Sequence, residues 1–209
     1  GVASTGSFPR IPGIEATGVV EAAPGGQFMP GAQVMTMMGG MGRVFDGGYA
    51  EYVVVPASQV IEFRSSLPWV QLGAVPEMLQ TADGSLRVGL EAKPGQSLLI
   101  RGGTSSVGLT LAVLGKLRGM TVYSTTRRPE ARELLKSVGV DHVLIDDGAV
   151  AVQVRDLQPE GVDGAVFKRI GTIAQQVEHI EALNLGLEEK LNGLDACARA
   201  TGDFRQGTY

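Results

Sequence analysis

The 209-residue sequence has very few of the side chains that build disulfides or zinc sites. Its one cysteine is Cys197, and its two histidines are His142 and His179. A lone cysteine cannot close an internal disulfide, which favours a reducing cytoplasm. Three such residues cannot complete the four nitrogen and sulfur ligands of a tetrahedral zinc site. We therefore expect no metal site, and expect both histidines to be surface or capping residues.

The sequence also lacks a run of 18 apolar residues and a signal-peptide pattern. Its net charge of −4 gives no attraction to nucleic acid or to an anionic membrane. A composition of 44% hydrophobic and 19% charged residues fits a globular protein of one large or two small domains. The sequence therefore favours neither nucleic acid nor a membrane as a partner.

Glycine, by contrast, is abundant, with 30 residues. Before residue 62, short apolar runs end at turns such as Pro24-Gly25-Gly26 and Gly47-Gly48, and the run Tyr49–Val55 follows the second. This pattern predicts short β-strands in a small barrel-like domain. Between residues 71 and 90, apolar residues recur at helical spacing.

The clearest motif lies between residues 97 and 108. The apolar run Leu98–Ile100 predicts a strand, Gly103-x-Ser105-x-x-Gly108 predicts a tight turn, and an apolar helical pattern follows. Strand, glycine turn and helix start form the setting of a dinucleotide-binding fingerprint, in which amides at the helix start face a pyrophosphate. Ser105 replaces the fingerprint's middle glycine. The predicted cofactor-binding residues here are Gly102, Gly103, Thr104, Ser105, Ser106, Val107 and Gly108.

The glycine turn has two other interpretations. Gly103 and Gly108 have the spacing of a P-loop, but Leu109 stands where a P-loop needs lysine, which excludes triphosphate chemistry. A glycine- and serine-rich turn that binds nothing remains the alternative.

The residues at the end of the next predicted strand indicate whether the cofactor is NAD or NADP. The segment 120–124 predicts a strand that ends near where a carboxylate would bind the ribose of NAD. No Asp or Glu stands there; hydroxyl groups and guanidinium groups follow instead, and these suit a 2′-phosphate. We therefore predict NADP(H), against the alternative of two solvated arginines. The residues assigned to this role are Ser124, Thr125, Arg127 and Arg128.

From residue 97 onwards, strands and helices alternate. Strands are expected near 98–101, 120–124, 142–145 and 162–167, with helices near 107–118, 129–138 and 149–157. Such alternation predicts an α/β fold with a parallel sheet of Rossmann type. Asp146-Asp147 ends the third strand, at the sheet edge where ligands bind.

Four stretches resemble the zinc-independent medium-chain dehydrogenase/reductases of the quinone oxidoreductase-like branch. They are residues 8–20, 47–52, 76–86 and 93–147, and the likeness extends over about residues 8 to 167. The resemblance implies a partial GroES-like catalytic domain at 1–90 and an incomplete Rossmann NADP-binding domain at 91–167. Residues 168–209 do not match the family pattern, and their apolar spacing predicts a helical tail.

The resemblance also implies NADPH-dependent reduction of quinones, enones or related carbonyls. Zinc-dependent members place a histidine where this chain has Ile14, so the likeness agrees with zinc independence. Thr81 matches a family position near the nicotinamide. Tyr49 and Tyr52 are candidate proton donors, or else packing residues of a strand.

The likeness starts at Phe8 and ends after Phe167, so a remnant, a truncation or a fusion are all open. A nucleotide-binding module without turnover is the first alternative function. The second is an oligomeric structural protein that uses the tail, where apolar residues follow a 4-3-4 spacing from Ile173 to Ala198. Gly186 and Gly193 interrupt that stripe, so a helix packed on its own domain competes with a partner-binding or homo-oligomeric helix.

Overall fold

The computed structural model describes residues 8–167, and the predicted tail helix and His179 lie outside them. The chain divides into two compact units, Gly1–Gln80 and Thr81–Tyr209, called here the N-terminal unit and the C-terminal unit. The expected domain boundaries at residues 90 and 167 stay predictions.

The N-terminal unit is built on a three-stranded antiparallel sheet in the order β1-β2-β3. Its strands and helices are β1 (Glu15–Val19), β2 (Gln33–Met37), β3 (Val60–Glu62), α1 (Trp69–Leu72) and the start of α2 (Pro76–Gly84). The Glu15 carboxylate accepts a hydrogen bond of 2.8 Å from the Glu77 N–H, which fixes the start of α2 against β1.

The segment 49–55 differs from its prediction. It carries the expected apolar residues, but within the described part of the chain it is not part of any strand. A strand needs a neighbour for its backbone hydrogen bonds, and among residues 8–167 no strand pairs with this segment.

The C-terminal unit contains a four-stranded parallel sheet in the order β6-β5-β4-β7. Its strands are β4 (Ser97–Arg101), β5 (Thr121–Thr126), β6 (His142–Ile145) and β7 (Gly164–Phe167). Its helices are α3 (Ser106–Leu117), α4 (Arg132–Ser137) and α5 (Val150–Leu157), and a π-helical stretch (Ser85–Gly89) continues α2. The α/β fold class predicted from the alternating pattern is confirmed.

Alternate residues of β4 enter two different cores. Leu98 and Ile100 pack in one cluster with Leu111 of α3, whereas Leu99 packs in a second cluster with Val154 of α5. Successive side chains of a strand point to opposite faces, so helices cover both faces of this sheet. In the described part of the chain, no helix has the length and apolar character needed to cross a membrane.

Candidate functional site: the glycine turn after β4

Two glycines of the turn are required by the geometry. Gly102 has a φ of +83°, in the left-handed region that favours glycine. A Cβ on Gly108 would lie 2.6 Å from the Gly102 carbonyl oxygen and 2.8 Å from that of Gly103. Gly108 therefore lets the first turn of α3 pack directly on the turn that precedes it.

Ser105 explains how a serine can replace the middle glycine of the fingerprint. Its φ of −81° is open to any residue, and its hydroxyl caps α3. The Oγ atom accepts a 3.0 Å hydrogen bond from the Gly108 N–H and donates one of 2.9 Å to the Gly102 carbonyl. The hydroxyl thus holds the turn and the helix together.

The remaining predicted turn residues differ in what they can offer a ligand. Thr104 lines the cavity described below. Ser106 is exposed at the first position of α3. Val107 packs its side chain against the core, so it can offer only its backbone N–H. Backbone N–H groups at a helix start favour an anion.

The end of β5 anchors the turn. Thr125 accepts a 3.1 Å hydrogen bond from the Gly102 N–H on its Oγ1 atom, and its carbonyl accepts one of 2.9 Å from the Gly103 N–H. These two bonds hold the turn directly against the neighbouring strand. The Thr125 hydroxyl therefore has a positioning role in this structure.

Ser124 was predicted to contact the 2′-phosphate of NADP, but its side chain is buried away from the cavity. It is 0% exposed, and a Cβ on Gly103 would lie 1.9 Å from its Oγ atom. Ser124 points to the same face of β5 as Val122, which belongs to the core cluster beneath α3. Its hydroxyl is buried under the turn without a hydrogen-bond partner in the described chain, and Gly103 leaves room for it.

The two arginines after β5 are placed differently. The Thr126 hydroxyl accepts a 3.1 Å hydrogen bond from the Arg128 N–H, which turns the chain at this point. Both arginines are exposed, but only Arg127 lines the cavity.

A cavity of about 170 Å³ lies at the carboxyl ends of these strands. It brings together five of the predicted site residues, from the turn, β5 and the segment after β5. Two further lining residues, Thr126 and Asp146, were not predicted as site residues. Its lining residues are Gly102, Thr104, Ser105, Thr125, Thr126, Arg127 and Asp146. The position of Asp146 at the end of the third strand was the available signal for it.

The Asp146 carboxylate is held in an ion pair. Arg101, the last residue of β4, places its Nη2 atom 2.7 Å from Asp146 Oδ2. The two side chains are only 18% and 24% exposed. Since β5 lies between β4 and β6, this ion pair crosses the end of β5 beside the cavity.

The two residues assigned to catalysis lie outside this cavity, one in each unit. Tyr49 is 78% exposed and lines a broad groove of about 1070 Å³ within the N-terminal unit, together with Tyr52. Thr81 is exposed on α2, and its carbonyl accepts a hydrogen bond from the Ser85 hydroxyl. Their catalytic roles stay predictions.

Charged and aromatic residues around the sheet have structural partners. Hydrogen bonds from Arg87 and Arg118 lower the pKa of Asp83. The His142 ring stacks on Tyr123 with centroids 4.5 Å apart, so it is a packing residue.

Across residues 8–167, no three His, Cys, Asp or Glu side chains cluster to hold a metal ion.

Comparison with known proteins supports both units. Residues 1–65 match the model of the alcohol dehydrogenase GroES-like domain. Quinone oxidoreductase of Pongo abelii is 28% identical over 138 residues, which cover 65% of this chain and 40% of the relative.

Two solved structures extend the likeness to the fold. A probable oxidoreductase from Mycobacterium abscessus is 31% identical with a TM-score of 0.70, covering 82% of this chain and 53% of that one. A mycobacterial protein solved in complex with NADPH is 27% identical with a TM-score of 0.64, covering 76% and 51%.

A GroES-like β unit followed by a Rossmann-type parallel sheet is the arrangement that the resemblance to medium-chain dehydrogenase/reductases implied. The relatives support a quinone oxidoreductase-like member of that family, as the motifs of the chain predicted. It spans about half the length, or less, of the relatives reported above.

Proposed function

We propose that this chain binds NADP(H) at the cavity after β4 and belongs to an oxidoreductase that reduces quinones, enones or related carbonyls. The observation that carries the proposal is that the glycine turn, the residue that caps α3 and the Arg127 side chain line one cavity. The oxidoreductase relatives, one of them an NADPH complex, support the same assignment.

The residues of the C-terminal unit fit such a cofactor. Gly108 lets the start of α3 pack against the turn, and the backbone N–H groups of a helix start favour an anion. Arg127 supplies a guanidinium for a 2′-phosphate, and residues 124–128 contain no carboxylate to favour a free ribose hydroxyl. When bound, the cofactor supplies or accepts the hydride.

The cavity of about 170 Å³ is smaller than a typical site for a drug-sized ligand. Its size matches part of a dinucleotide, and we assign it to the ribose phosphate of the adenosine half. Tyr49 and Thr81 remain the proposed catalytic residues, Tyr49 as a proton donor and Thr81 beside the nicotinamide. We propose that the reaction uses no zinc, because Ile14 stands where zinc-dependent members have a ligand.

The first test is whether binding depends on the turn. In Gly108→Val the new side chain meets two backbone carbonyls, so we expect NADPH affinity to fall by at least 100-fold in calorimetric titration. Gly84→Ala is the matched control, because a Cβ at Gly84 meets no atom within 4 Å. Unchanged affinity in a folded Gly108→Val variant would remove the site from this turn.

The second test concerns the 2′-phosphate. We expect the protein to prefer NADPH over NADH by about 10- to 100-fold at low salt, with the preference shrinking as salt rises. Arg127→Ala should lose about 10-fold in NADPH affinity and little in NADH affinity. Arg128→Ala should lose less than about 3-fold, because Arg128 does not line the cavity. Equal affinities for both cofactors would overturn the NADP(H) assignment.

The third test separates turnover from binding alone. We expect NADPH oxidation when a panel of quinones and enones is added to the full chain. NADPH binding without oxidation of any panel member would favour the nucleotide-binding module over the reductase.

A further inference from the structure

The ion pair between Arg101 and Asp146 has no role in the function proposed above, yet it lies at the same cavity. Asp146 is a lining residue, and its carboxylate is the acidic group among the seven residues that line this cavity. A carboxylate is an unexpected neighbour for a phosphate, because like charges repel. The pairing with Arg101 at 2.7 Å offsets that charge.

We propose that Arg101 sets the cofactor preference of this site by neutralising Asp146, so that a cavity with a carboxylate in its lining still accepts a 2′-phosphate. This inference rests on the proposed NADP(H) site. Arg101 acts through Asp146 and is therefore a positioning residue, whereas Asp146 is the group that faces the ligand.

The geometry predicts that the charge of Asp146 has a measurable effect on phosphate binding. Asp146 and Arg127 line the same cavity of about 170 Å³, so a phosphate bound there lies close to the Asp146 carboxylate. Both side chains of the pair are mostly buried, so solvent screens their charges less than it screens an exposed pair. At such a separation, an unpaired carboxylate should weaken binding of a 2′-phosphate by about 10-fold.

The pair also has a fixed position relative to the turn. Arg101 directly precedes Gly102, and the Asp146 N–H donates a 2.9 Å hydrogen bond to the Thr126 carbonyl. The carboxylate and the residues that hold the turn are thus tied to the same strand end. The structure therefore gives the carboxylate little freedom to withdraw from the cavity.

The experiment uses two fragments of the adenosine half as probes, adenosine 2′,5′-bisphosphate and 5′-AMP. Calorimetric titration of the full chain gives both affinities for wild type, Arg101→Gln, Asp146→Asn and the double variant. We expect Arg101→Gln to lose about 10-fold for the bisphosphate and less than about 3-fold for 5′-AMP. The double variant should recover to within about 3-fold of wild type, because it has no carboxylate left to repel the phosphate.

Arg118→Gln is the matched control. It breaks the ion pair with Asp83, which is similarly shielded at 28% and 36% exposure and does not line the cavity. The affinities of this variant for the bisphosphate and for 5′-AMP should stay within about 2-fold of the wild-type values. Circular dichroism tests whether each variant is folded. If Arg101→Gln does not fold, the bisphosphate affinity of Asp146→Asn decides. Unchanged or tighter binding supports the proposal, and a loss beyond about 3-fold overturns it.

The outcomes distinguish this inference from the function on which it rests. Equal losses for the two probes in Arg101→Gln, or no loss for either, would overturn the role of the pair while leaving the NADP(H) site in place. Failure of the wild-type chain to bind NADPH and the bisphosphate would overturn the proposed function itself.

Discussion

The two units of the chain bury their sheets to different depths. In the C-terminal unit, four successive residues of β4 are buried and helices cover both faces of the sheet. In the N-terminal unit, no residue of β1 is buried, and Val19 at its end is 55% exposed. A strand covered on both faces is a continuous apolar run, whereas a strand covered on one face alternates.

The exposed apolar residues of the N-terminal unit continue this contrast. Tyr49, Tyr52 and Val54 are 78%, 73% and 88% exposed. Both clusters of buried apolar residues found in the described chain belong to the C-terminal unit. An apolar residue contributes to stability only where other atoms surround it, so equal truncations in the two units should have unequal effects.

Leu99→Ala should have the largest effect on stability. Leu99 is 0% exposed and lies in the cluster with Val150 and Val154, so truncation leaves a cavity and costs about 2–5 kcal/mol of unfolding free energy. Chemical denaturation followed by far-UV circular dichroism measures this loss, because α3, α4 and α5 lie in the C-terminal unit.

Val54→Ala is the control for this comparison. Val54 is 88% exposed, so its truncation should change the unfolding free energy by less than about 0.5 kcal/mol. Trp69, the single tryptophan of the sequence, gives a fluorescence signal from the N-terminal unit. Similar losses for the two variants would contradict the contrast in burial.

Asp163→Asn should have a smaller, pH-dependent effect. Asp163 Oδ2 accepts hydrogen bonds of 2.6 Å from the Ser97 hydroxyl and 2.8 Å from its N–H, which join the starts of β4 and β7. These bonds lower the pKa of Asp163. A lowered folded-state pKa gives stability that is present above the unfolded value near 3.9 and lost as pH falls through the folded value.

The asparagine variant should therefore be less stable than wild type by about 1 kcal/mol at pH 7, after allowance for screening at this exposed residue. The difference should shrink below about pH 4, where the wild-type carboxyl becomes protonated. Denaturation curves at pH 7, 5 and 3 measure it. A difference that stayed constant with pH would mean that the carboxylate charge has no part in this contact.

The sequence predicted the C-terminal unit well because its signals are local. The apolar run at Leu98, the turn glycines and the helical pattern after Gly108 each depend on neighbours in the chain. Gly139, with a φ of +93°, follows α4 as a helix-ending glycine should. Thr125, predicted to bind the cofactor, lies within β5, and its hydroxyl accepts a hydrogen bond from the turn.

The residues that sequence reasoning misplaced depend on contacts between distant segments. The burial of Ser124 follows from which face of β5 packs against Gly103, and β5 continues two residues beyond its predicted end. Asp146 joins the cavity because β6 pairs with β5 and Arg101 reaches across that strand. The segment 49–55 has strand composition, but composition does not supply a neighbouring strand.

Gly84→Ala should have the smallest effect, and the opposite sign. Gly84 has helical angles, φ −58° and ψ −42°, between α2 and the π-helical stretch, and a Cβ there meets no atom within 4 Å. Alanine should therefore stabilise the helix by about 0.5–1 kcal/mol, chiefly by restricting the unfolded chain. Ala82 and Leu86 on either side are fully buried in the larger core cluster, so the gain should appear in the circular dichroism transition of the C-terminal unit. If Gly84→Ala instead moved only the Trp69 fluorescence transition, this stretch would belong energetically to the N-terminal unit and the division at Gln80 would be misplaced.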